Sequence, residues 1–522
     1  MKLYLAGFNL DINTIEELKD FSKQVAENLD PANFSKMDFQ SQKYIVAKLY
    51  LHATSIMERD NFTPETLSAA YARISRNSKP VNELREIARK EVDRARKSNQ
   101  NIIFGLGHNS VAEHATFNFD ILEVSRYAIE IIEHFRLASY TEKSQRYILF
   151  QDDFVVPREI KGTSLEKEFR YIINQQNSTY QKLYKILLPY VFEKFHTEAK
   201  DPKIHKTLEG LAKEDARYII SLATQSQMGM TVNARTLENI IAKCNSHPLS
   251  EIREYGKKLY DCTKNYTPSI VKYVNPTSYL MNKSNDLYYF INNNISKPKK
   301  INTKDDIDVK LVNYHPKDAD NWLLATILFR FGNMNHKRAL SNIKKLSSKE
   351  KLSFYKEIFK DIKSWDSVLR EFEFIYFTFQ LVVSASNYGQ LKRHRMTNII
   401  SQKYDIDLGI TIPESIIQTN KERNFNEIIE KTNDLYYKIN QINPIVAPYI
   451  LTNAHKRRVL FKINLRELYH FSRLREDKHA QWDIRNTAVK ISAEVKKIMP
   501  LAGVLLSGKD QFDNTYHKYL QK

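Results

Sequence analysis

The sequence predicts an α+β protein made of two tandem copies of one domain, each helix-rich with a mainly antiparallel sheet. A chain of 522 residues is too long for one ordinary core, so two or more domains are expected. Apolar residues recur with helical spacing over much of the chain, and three short segments recur in the same order in both halves. Only 12 glycines are present, which argues against glycine-rich cofactor loops.

The repeated segments define the duplication. In each half of the chain, a polar segment leads into alternating aromatic residues, and a later segment carries an N-x-R sequence. Three matches in one order imply duplication of a domain of about 200 to 250 residues, an ordinary size. The first pair is 108–114 with 365–372, which lead into Phe117 and Phe119 and into Phe377 and Phe379. The second pair is 134–147 with 393–404, and the third is 231–237 with 462–468.

The domain boundary is predicted in a polar, lysine-rich stretch. We expect a first domain over residues 1–285, a linker over 286–308 and a second domain over 309–522. The linker contains three consecutive asparagines at 292–294 and the sequence S-K-P-K-K at 296–300, a composition typical of connecting segments.

Local patterns predict the individual elements. Residues 1–8 are apolar but soon meet Asp11, so they are typical of an opening strand and too short for a signal peptide. Asn13 as an N-cap, with Glu16 three residues later, predicts a helix over 14–29. Aromatic alternation predicts strands at 115–122 and 374–383, each followed by a helix. Apolar spacing predicts further helices at 83–99, 164–196, 208–225, 235–243, 252–263, 421–440, 466–474 and 485–498.

The charge and cysteine content limit the function classes. The net charge is +19, which favours anionic ligands, nucleic acid among them. The lysines are spread along the whole chain, however, and this favours compositional bias as their explanation. Cys244 and Cys262 are too few for a disulfide framework or a four-ligand zinc site, so we expect no metal and a reducing, cytoplasmic location. No stretch has the apolar length of a membrane span, and we expect no membrane partner.

Two stretches look like copies of one signature. Residues 134–147 are H-F-R-L-A-S-Y-T-E-K-S-Q-R-Y, and residues 393–404 are R-H-R-M-T-N-I-I-S-Q-K-Y. The first copy keeps Ser144 and Arg146, whose hydroxyl and guanidinium suit a phosphate. The second copy keeps the paired arginines, which bind phosphate and carbonyl oxygens bidentately, but has Lys403 where the first has Arg146.

A third motif occurs only in the second half, at residues 474–484, L-R-E-D-K-H-A-Q-W-D-I. Its arginine is Arg475. A fixed cation beside a ring that must lose a proton stabilises the resulting anion. We expect His479 and Trp482 to serve packing and helix capping. The corresponding first-half segment, residues 242–248, has no arginine.

Together these motifs resemble the flavin-dependent thymidylate synthases, whose signature is R-H-R-x-x-S-x-N-E-x-S-x-R-Y, followed by L-R-x-D-x-H-A-Q-W-E-I. The resemblance implies an FAD enzyme that converts deoxyuridylate (dUMP) to thymidylate (dTMP) with methylenetetrahydrofolate and NADPH as co-substrates. Family enzymes are homotetramers with sites built between subunits, so a fused chain is expected to form a homodimer with pseudo-tetrameric shape.

The resemblance also assigns residues. Arg475 is the catalytic candidate, because the family's arginine contacts the uracil ring. A flavin is implied at His108, Ser110, Asn233, Arg235, Asn239, Arg393, His394, Arg395, Asn464, Arg466 and His470. The nucleotide is implied at Gln390, Arg393, Glu142, Ser144, Arg146, Arg217 and Arg475. Pro448 at the second-half position of Arg217 departs from the family pattern.

Because each half keeps what the other lost, we expect one composite site per chain. The second half would supply Gln390, Arg393, His394, Arg395 and Arg475, and the first half would supply Glu142, Ser144 and Arg146. Two alternatives remain open from the sequence. The chain could be a flavin protein of this fold that acts on another uracil-containing substrate, including RNA, or a degenerate copy that binds nucleotide without turnover.

Overall fold

The computed structural model describes residues 1–58, 61–146, 148–150, 153–295 and 307–520. Across these residues it contains eight strands in two sheets, surrounded by helices, which confirms the α+β prediction. The strands are β1 Lys2–Phe8, β2 Thr116–Ser125, β3 Ala138–Glu142, β4 Gln225–Asn233, β5 Val309–His315, β6 Tyr376–Ser384, β7 Asn398–Tyr404 and β8 Lys456–Asn464.

The helices in chain order are α1 Ile12–Asn28, α2 Pro31–Phe34, α3 Phe39–Glu58, α4 Glu65–Arg73, α5 Val81–Lys90, α6 Val92–Gln100, α7 Arg126–Ile132, α8 Ser164–Lys194, α9 His205–Ala216, α10 Ala234–Asn245, α11 Ser250–Thr263, α12 Ser278–Asn294, α13 Ala319–Phe331, α14 His336–Lys345, α15 Ser348–Ile358, α16 Ala385–Leu391, α17 Glu414–Gln418, α18 Glu422–Ile442, α19 Leu465–Arg475, α20 Trp482–Ile498 and α21 Phe512–Leu520.

The two sheets repeat one topology, which confirms the tandem duplication. Each has four antiparallel strands, in the orders β1-β2-β4-β3 and β5-β6-β8-β7. Both first pairs shift register at the same place, between Leu5 and Gly7 and between Leu311 and Asn313. The alternating aromatics point into the cores, since Phe117 and Phe377 are both fully buried.

The compact units do not coincide with the two sequence halves. The first unit comprises, among the described residues, 1–58, 61–143, 157–159 and 225–295, with the first sheet. The second comprises 144–146, 148–150, 153–156, 160–224 and 307–520, with the second sheet. A long stretch of the first half, including α8 and α9, therefore belongs to the unit built on the second-half sheet.

Helices α8 and α9 are held in the second unit by an apolar core. Tyr180 and Leu187 of α8 pack in one buried cluster with Phe425 and Ile429 of α18. Within this packing Gln176 is fully buried, and its amide donates to Thr432 Oγ1 at 2.8 Å and to the Ile450 carbonyl at 3.0 Å. A buried amide must keep its partners because water cannot replace them.

A short backbone pairing adds to this core. Ser221 forms an antiparallel bridge with Thr452, Leu222 N donates to Leu451 O at 2.7 Å, and Asn453 N donates to Ile220 O at 3.0 Å. Ser221 and Thr452 stand at the same position relative to Asn233 and Asn464, the matching asparagines of the two repeats. Equivalent segments of the two halves thus meet around a local two-fold axis.

Most sequence-based elements are confirmed, including the opening strand, both aromatic strands and the helices near 164–196, 235–243, 252–263, 421–440, 466–474 and 485–498. Three details were wrong. Helix α1 is capped by Asp11, whose carboxylate accepts from Asn13 N, rather than by Asn13. The predicted helix 83–99 is broken at Glu91, where φ is −121° and ψ is 60°. The predicted helix 208–225 ends at Ala216, since residues 217–219 form a 3₁₀ turn and β4 begins at Gln225.

The predicted linker remains a prediction. Residues 278–294 form α12, and residues 296–306 lie outside the described residues. Among the helices of the described residues, none combines the length and the apolar character that crossing a membrane requires.

The cross-half packing of α8 is testable through Gln176. We expect Gln176→Ala to lower the free energy of unfolding by about 1–3 kcal/mol, because the buried Ile450 carbonyl loses its amide donor. The control is Gln175→Ala, one residue earlier, whose amide oxygen has only a solvent-exposed contact at 3.3 Å to Lys431 Nζ. Urea unfolding of both variants should separate them, and equal stabilities would contradict the packing described here.

Candidate active site

Arg475 joins the two second-half motifs. It ends α19, and its Nε donates to His394 Nε2 at 2.9 Å. Its Nη1 lies 3.4 Å from Gln390 Oε1, and its Nη2 donates to the Gln390 carbonyl at 3.3 Å. The guanidinium is thereby held in one orientation at the end of α16, beside the R-H-R segment.

His394 is the buried centre of this arrangement. Only 5% of it is exposed, and its ring packs edge-on against Phe471 at 4.8 Å. Its Nδ1 lies 3.3 Å from Glu467 Oε1. Burial lowers the pKa of His394 well below its usual value, and electrostatic interactions with Arg475 and His470 add to the effect. The imidazole is therefore neutral at physiological pH.

Three arginines gather around this point. Burial lowers the pKa of Arg475 to about 10, and the neighbouring charges of Arg393 and Arg146 contribute to the shift. Arg475 nevertheless stays protonated at neutral pH. Arg146 comes from the first sequence half, from a turn in which Ser144 Oγ accepts from Arg146 N at 3.2 Å. Such a concentration of guanidinium groups suits an anionic ligand with several oxygens.

Arg146 and Arg217 are tied to the core of the second unit. Arg146 Nε forms an ion pair with the buried carboxylate of Glu214, and its Nη2 donates to the His479 carbonyl at 3.2 Å. Arg217 is 6% exposed and donates to Ser386 Oγ at 2.9 Å. Burial raises the pKa of Glu214, while the charges of Arg217 and Arg146 oppose that rise.

The motif after Arg475 serves mainly to hold the structure. The Trp482 ring stacks on Tyr218 with centroids 5.6 Å apart, and its Nε1 donates to Asp215 Oδ1 at 2.8 Å. Asp483 accepts from Tyr218 at 3.0 Å and from Ser384 Oγ at 2.6 Å. The packing role expected for Trp482 is confirmed.

The prediction for His479 was wrong. Its side chain is 75% exposed and contacts Asp477, whose carboxylate lies 2.8 Å from His479 Nδ1. The residue that caps α20 is Gln481, whose Oε1 accepts from the backbone of Asp483 at 3.1 Å.

Comparison with known proteins supports the family resemblance of these motifs. A family model described as thymidylate synthase complementing protein matches residues 59–269 and again residues 310–501. A flavin-dependent thymidylate synthase of Clostridium tetani is 30% identical over 217 residues, which span 41% of this chain and 83% of that protein. This chain belongs to the flavin-dependent thymidylate synthase family.

Relatives that match over most of the chain have a different name. A UPF0159 protein of Thermoplasma acidophilum is 23% identical over 477 residues, 84% of this chain and 94% of that protein. A UPF0159 protein of Chlamydia muridarum is 23% identical over 423 residues, 76% of this chain and 78% of that protein. Neither name states an activity. Membership of the family implies a flavin cofactor.

The flavin candidates of the second unit lie on α19 and in the turn after α16. Asn464 caps α19 by accepting from Glu467 N at 2.8 Å, and Arg466 pairs with Glu373 at 2.8 Å. His470 is exposed, with its ring 6.0 Å from that of His394. Arg393 and Arg395 are exposed on either side of buried His394.

Two of the five flavin candidates of the first unit line a cavity of about 750 Å³. Arg235 and Asn239 line it, together with the H-F-R segment 134–136 and with Asn109, which lies between His108 and Ser110. Asn233 caps α10 by accepting from Thr236 N at 2.9 Å. The guanidinium of Arg235 pairs with Glu113 at 2.5 Å.

Glu142 is the one nucleotide candidate in the first unit. It ends β3, and its carboxylate lies 3.6 Å from Arg126 Nε. Gln390 lies in the last turn of α16, which ends at Leu391, whereas Arg393 lies in the turn that follows the helix. The last residue of the first signature copy, Tyr147, lies outside the described residues.

Three carboxylates that organise the site were not predicted from the sequence: Glu214, Glu467 and Asp483. Glu214 stands three residues before Arg217 on α9, so its spacing was a usable signal. Glu467 and His394 are 73 residues apart, and no local pattern predicts that contact.

The Arg146–Glu214 pair predicts a stability effect. Arg146→Ala should lower the free energy of unfolding by about 1–3 kcal/mol, because it leaves the Glu214 carboxylate buried with less compensation. The effect is smaller than for a fully buried pair since the Arg146 side chain is 25% exposed. Adding Glu214→Gln should restore most of the loss.

Thermal and urea unfolding of the single and double variants would measure this. Arg170→Ala is the control, because its pair with Glu166 on α8 is a half-exposed contact between neighbouring helical turns. A double variant no more stable than Arg146→Ala would contradict the assignment.

Proposed function

We propose that this protein is an FAD-dependent enzyme that methylates dUMP reductively to dTMP, with methylenetetrahydrofolate as carbon donor and NADPH as reductant. The observation that carries the proposal is the grouping of Arg146, Arg393 and Arg475. Within one compact unit, Arg146 of the first signature copy lies near Arg475, as does Arg393 of the second copy. The named activity of the Clostridium tetani relative supports the same choice.

The nucleotide is assigned by chemistry. Ser144, Arg146 and Arg217 offer a hydroxyl and two guanidiniums for a phosphate, whose oxygens accept such donors bidentately. Arg475 faces the uracil ring together with Gln390. Its fixed positive charge stabilises the ring anion that forms when the base loses a proton, and its partial burial strengthens that effect. Family resemblance also implies a nucleotide contact for Glu142, which lies in the first unit.

The residues present fit a flavin. The first-unit cavity of about 750 Å³ has the volume of a cofactor site. Arg136 and Arg235 on its wall suit a pyrophosphate, and Phe135 and Tyr273 offer aromatic surfaces to a ring system. In the second unit, Arg393, Arg395, Asn464, Arg466 and His470 are the residues that we assign to FAD binding. Bound FAD would supply the hydride transfer.

The assembly follows from the duplication. We propose a homodimer whose four domains resemble the tetramer of the single-domain enzymes, with one working nucleotide site per chain. Lys403 and Pro448 replace Arg146 and Arg217 at the equivalent positions, so the second combination lacks two of the phosphate ligands. Two unbridged cysteines agree with a reducing, cytoplasmic location.

The flavin assignment predicts that the purified protein carries FAD. Arg395→Ala should weaken FAD binding about tenfold, the cost of one hydrogen bond to a charged group. Arg423→Ala, on an arginine that is 91% exposed and paired with Glu427, should not change occupancy. Absorbance near the flavin maximum and fluorescence titration would measure both. Colourless protein that also fails to bind added FAD would contradict the assignment.

The composite site predicts one dUMP per chain by calorimetry and strict dependence on both halves. Arg475→Ala should abolish dTMP formation while the protein stays folded. The Arg146→Ala/Glu214→Gln double variant should do the same, because it removes the phosphate ligand without leaving a buried carboxylate unpaired. Lys403→Ala is the control and should retain activity. Two nucleotides per chain, or turnover without Arg146, would contradict the composite site.

Binding measurements at different salt concentrations test the alternative that the ligand is RNA, which the net charge of +19 favours. Binding of one small nucleotide should depend weakly on salt. An RNA ligand contacting about six phosphates should bind about a thousandfold more weakly when salt rises from 50 to 200 mM. Tight, steeply salt-dependent RNA binding without dUMP binding would favour that function instead.

A further inference from the structure

Glu467, His394 and Arg475 form a continuous hydrogen-bonded array in the second unit. Glu467 Oε1 lies 3.3 Å from His394 Nδ1, and Arg475 Nε lies 2.9 Å from His394 Nε2. The imidazole between them is 5% exposed and packs against Phe471. Family resemblance implies a flavin contact for His394, yet here both ring nitrogens already contact side chains of this chain.

The direction of the hydrogen bonds follows from the donors. A guanidinium can only donate, so His394 Nε2 must be the unprotonated nitrogen that accepts from Arg475. The single ring proton is then on Nδ1 and is donated to the Glu467 carboxylate. This tautomer is fixed from both sides. A charged imidazolium would instead repel Arg475 and lose the acceptor at Nε2.

The position of Glu467 indicates that its side chain acts on His394 rather than as a cap of its own helix. It is the third residue of α19, but the cap of that helix is Asn464, which accepts from the Glu467 backbone nitrogen at 2.8 Å. Replacing the Glu467 side chain therefore leaves the cap in place. Arg475 ends the same helix, so a carboxylate at its start acts through His394 on a guanidinium at its end.

A metal site is the competing interpretation. Ligand atoms of His394, Glu467 and His470 all lie within 4.8 Å of one another. However, a metal on Nδ1 would need that nitrogen deprotonated while Nε2 still accepts from Arg475, which is an imidazolate. The adjacent guanidinium charge also opposes a cation at this place.

We propose that Glu467 is a positioning residue which, through the tautomer of His394, holds the Arg475 guanidinium in the orientation that faces the uracil ring. Its effect on catalysis rests on the proposed function. Its effect on the orientation of Arg475 does not. No nucleotide or flavin contact is assigned to Glu467, so its removal is expected to alter catalysis by releasing Arg475 rather than by removing a ligand.

The experiment compares Glu467→Ala, Glu467→Gln and Glu350→Ala in the full-length protein. Glu467→Gln keeps a side-chain oxygen that can accept from His394 Nδ1. Glu350 is the matched control, because it is the third residue of α15 and closes a capping box with Ser347. Glu350→Ala tests whether the loss of any acidic side chain at the third position of a helix is enough to change the labelling of Arg475.

The first measurement needs no substrate. Mass spectrometry after treatment with phenylglyoxal, which modifies accessible arginines, should show Arg475 labelled several-fold faster in Glu467→Ala. Glu467→Gln and Glu350→Ala should label like the unsubstituted protein. Unchanged labelling in Glu467→Ala would overturn the proposal, whatever the nucleotide does. So would stoichiometric Zn²⁺ binding that Glu467→Ala removes.

The second measurement uses the nucleotide. In Glu467→Ala, kcat should fall about 10- to 100-fold, the loss expected from misplacing a group by about 1 Å. The Kd for dUMP should change little, since the phosphate ligands remain. The pKa of bound 5-fluorodeoxyuridylate, followed by ultraviolet absorbance, should rise. Glu467→Gln should recover most of both effects, and equal losses in the two Glu467 variants would overturn the proposal.

The two measurements separate the possible failures. If the unsubstituted protein binds no dUMP, the proposed function fails, and the arginine labelling still decides the role of Glu467. If dUMP is turned over and Arg475 labelling does not respond to Glu467→Ala, the proposed function stands and the positioning role fails.

Discussion

The antiparallel pairing of residues 218–222 with residues 451–454 determines which parts of the two halves share a compact unit. The Ser221–Thr452 bridge and the backbone hydrogen bonds beside it fix the register of equivalent segments. Helices α8 and α9 lie directly before residues 218–222 in the chain, and this pairing brings them close to the second repeat. They therefore pack against α17 and α18 of that repeat. Ser144, Arg146 and Arg217 are thereby carried into the unit that contains Arg475.

Gathering several guanidiniums costs free energy, and buried carboxylates offset it. Arg146 is paired with Glu214, and Glu467 accepts from the His394 that Arg475 contacts. The carboxylates do not cancel the positive potential of the guanidiniums, because burial and like charges still lower the pKa of Arg475. An anionic ligand would relieve that repulsion on binding. The carboxylates hold the geometry while the net charge remains positive.

Sequence patterns predicted what depends on local periodicity. The strands at Phe117 and Phe377 followed from alternation, and most helices followed from apolar spacing, because each element buries one face. Errors arose where a single residue decides the outcome, as at Glu91, whose backbone leaves the helical region. The motifs identified Arg475 and Arg146, but the contact between Glu467 and His394 depends on how α19 packs beside α16. No local spacing encodes that packing.

Duplication explains how one chain can carry two incomplete signatures. In a homotetramer every copy must supply every ligand, so the loss of an arginine affects all sites equally. In a fused chain each repeat occupies its own environment, and only one combination must stay complete. Pro448 illustrates this freedom, since it is the second residue of a 3₁₀ turn and occupies the position where, in the first repeat, buried Arg217 donates to Ser386. A proline has no donor for that role, so the two repeats are equivalent in fold but not in chemistry.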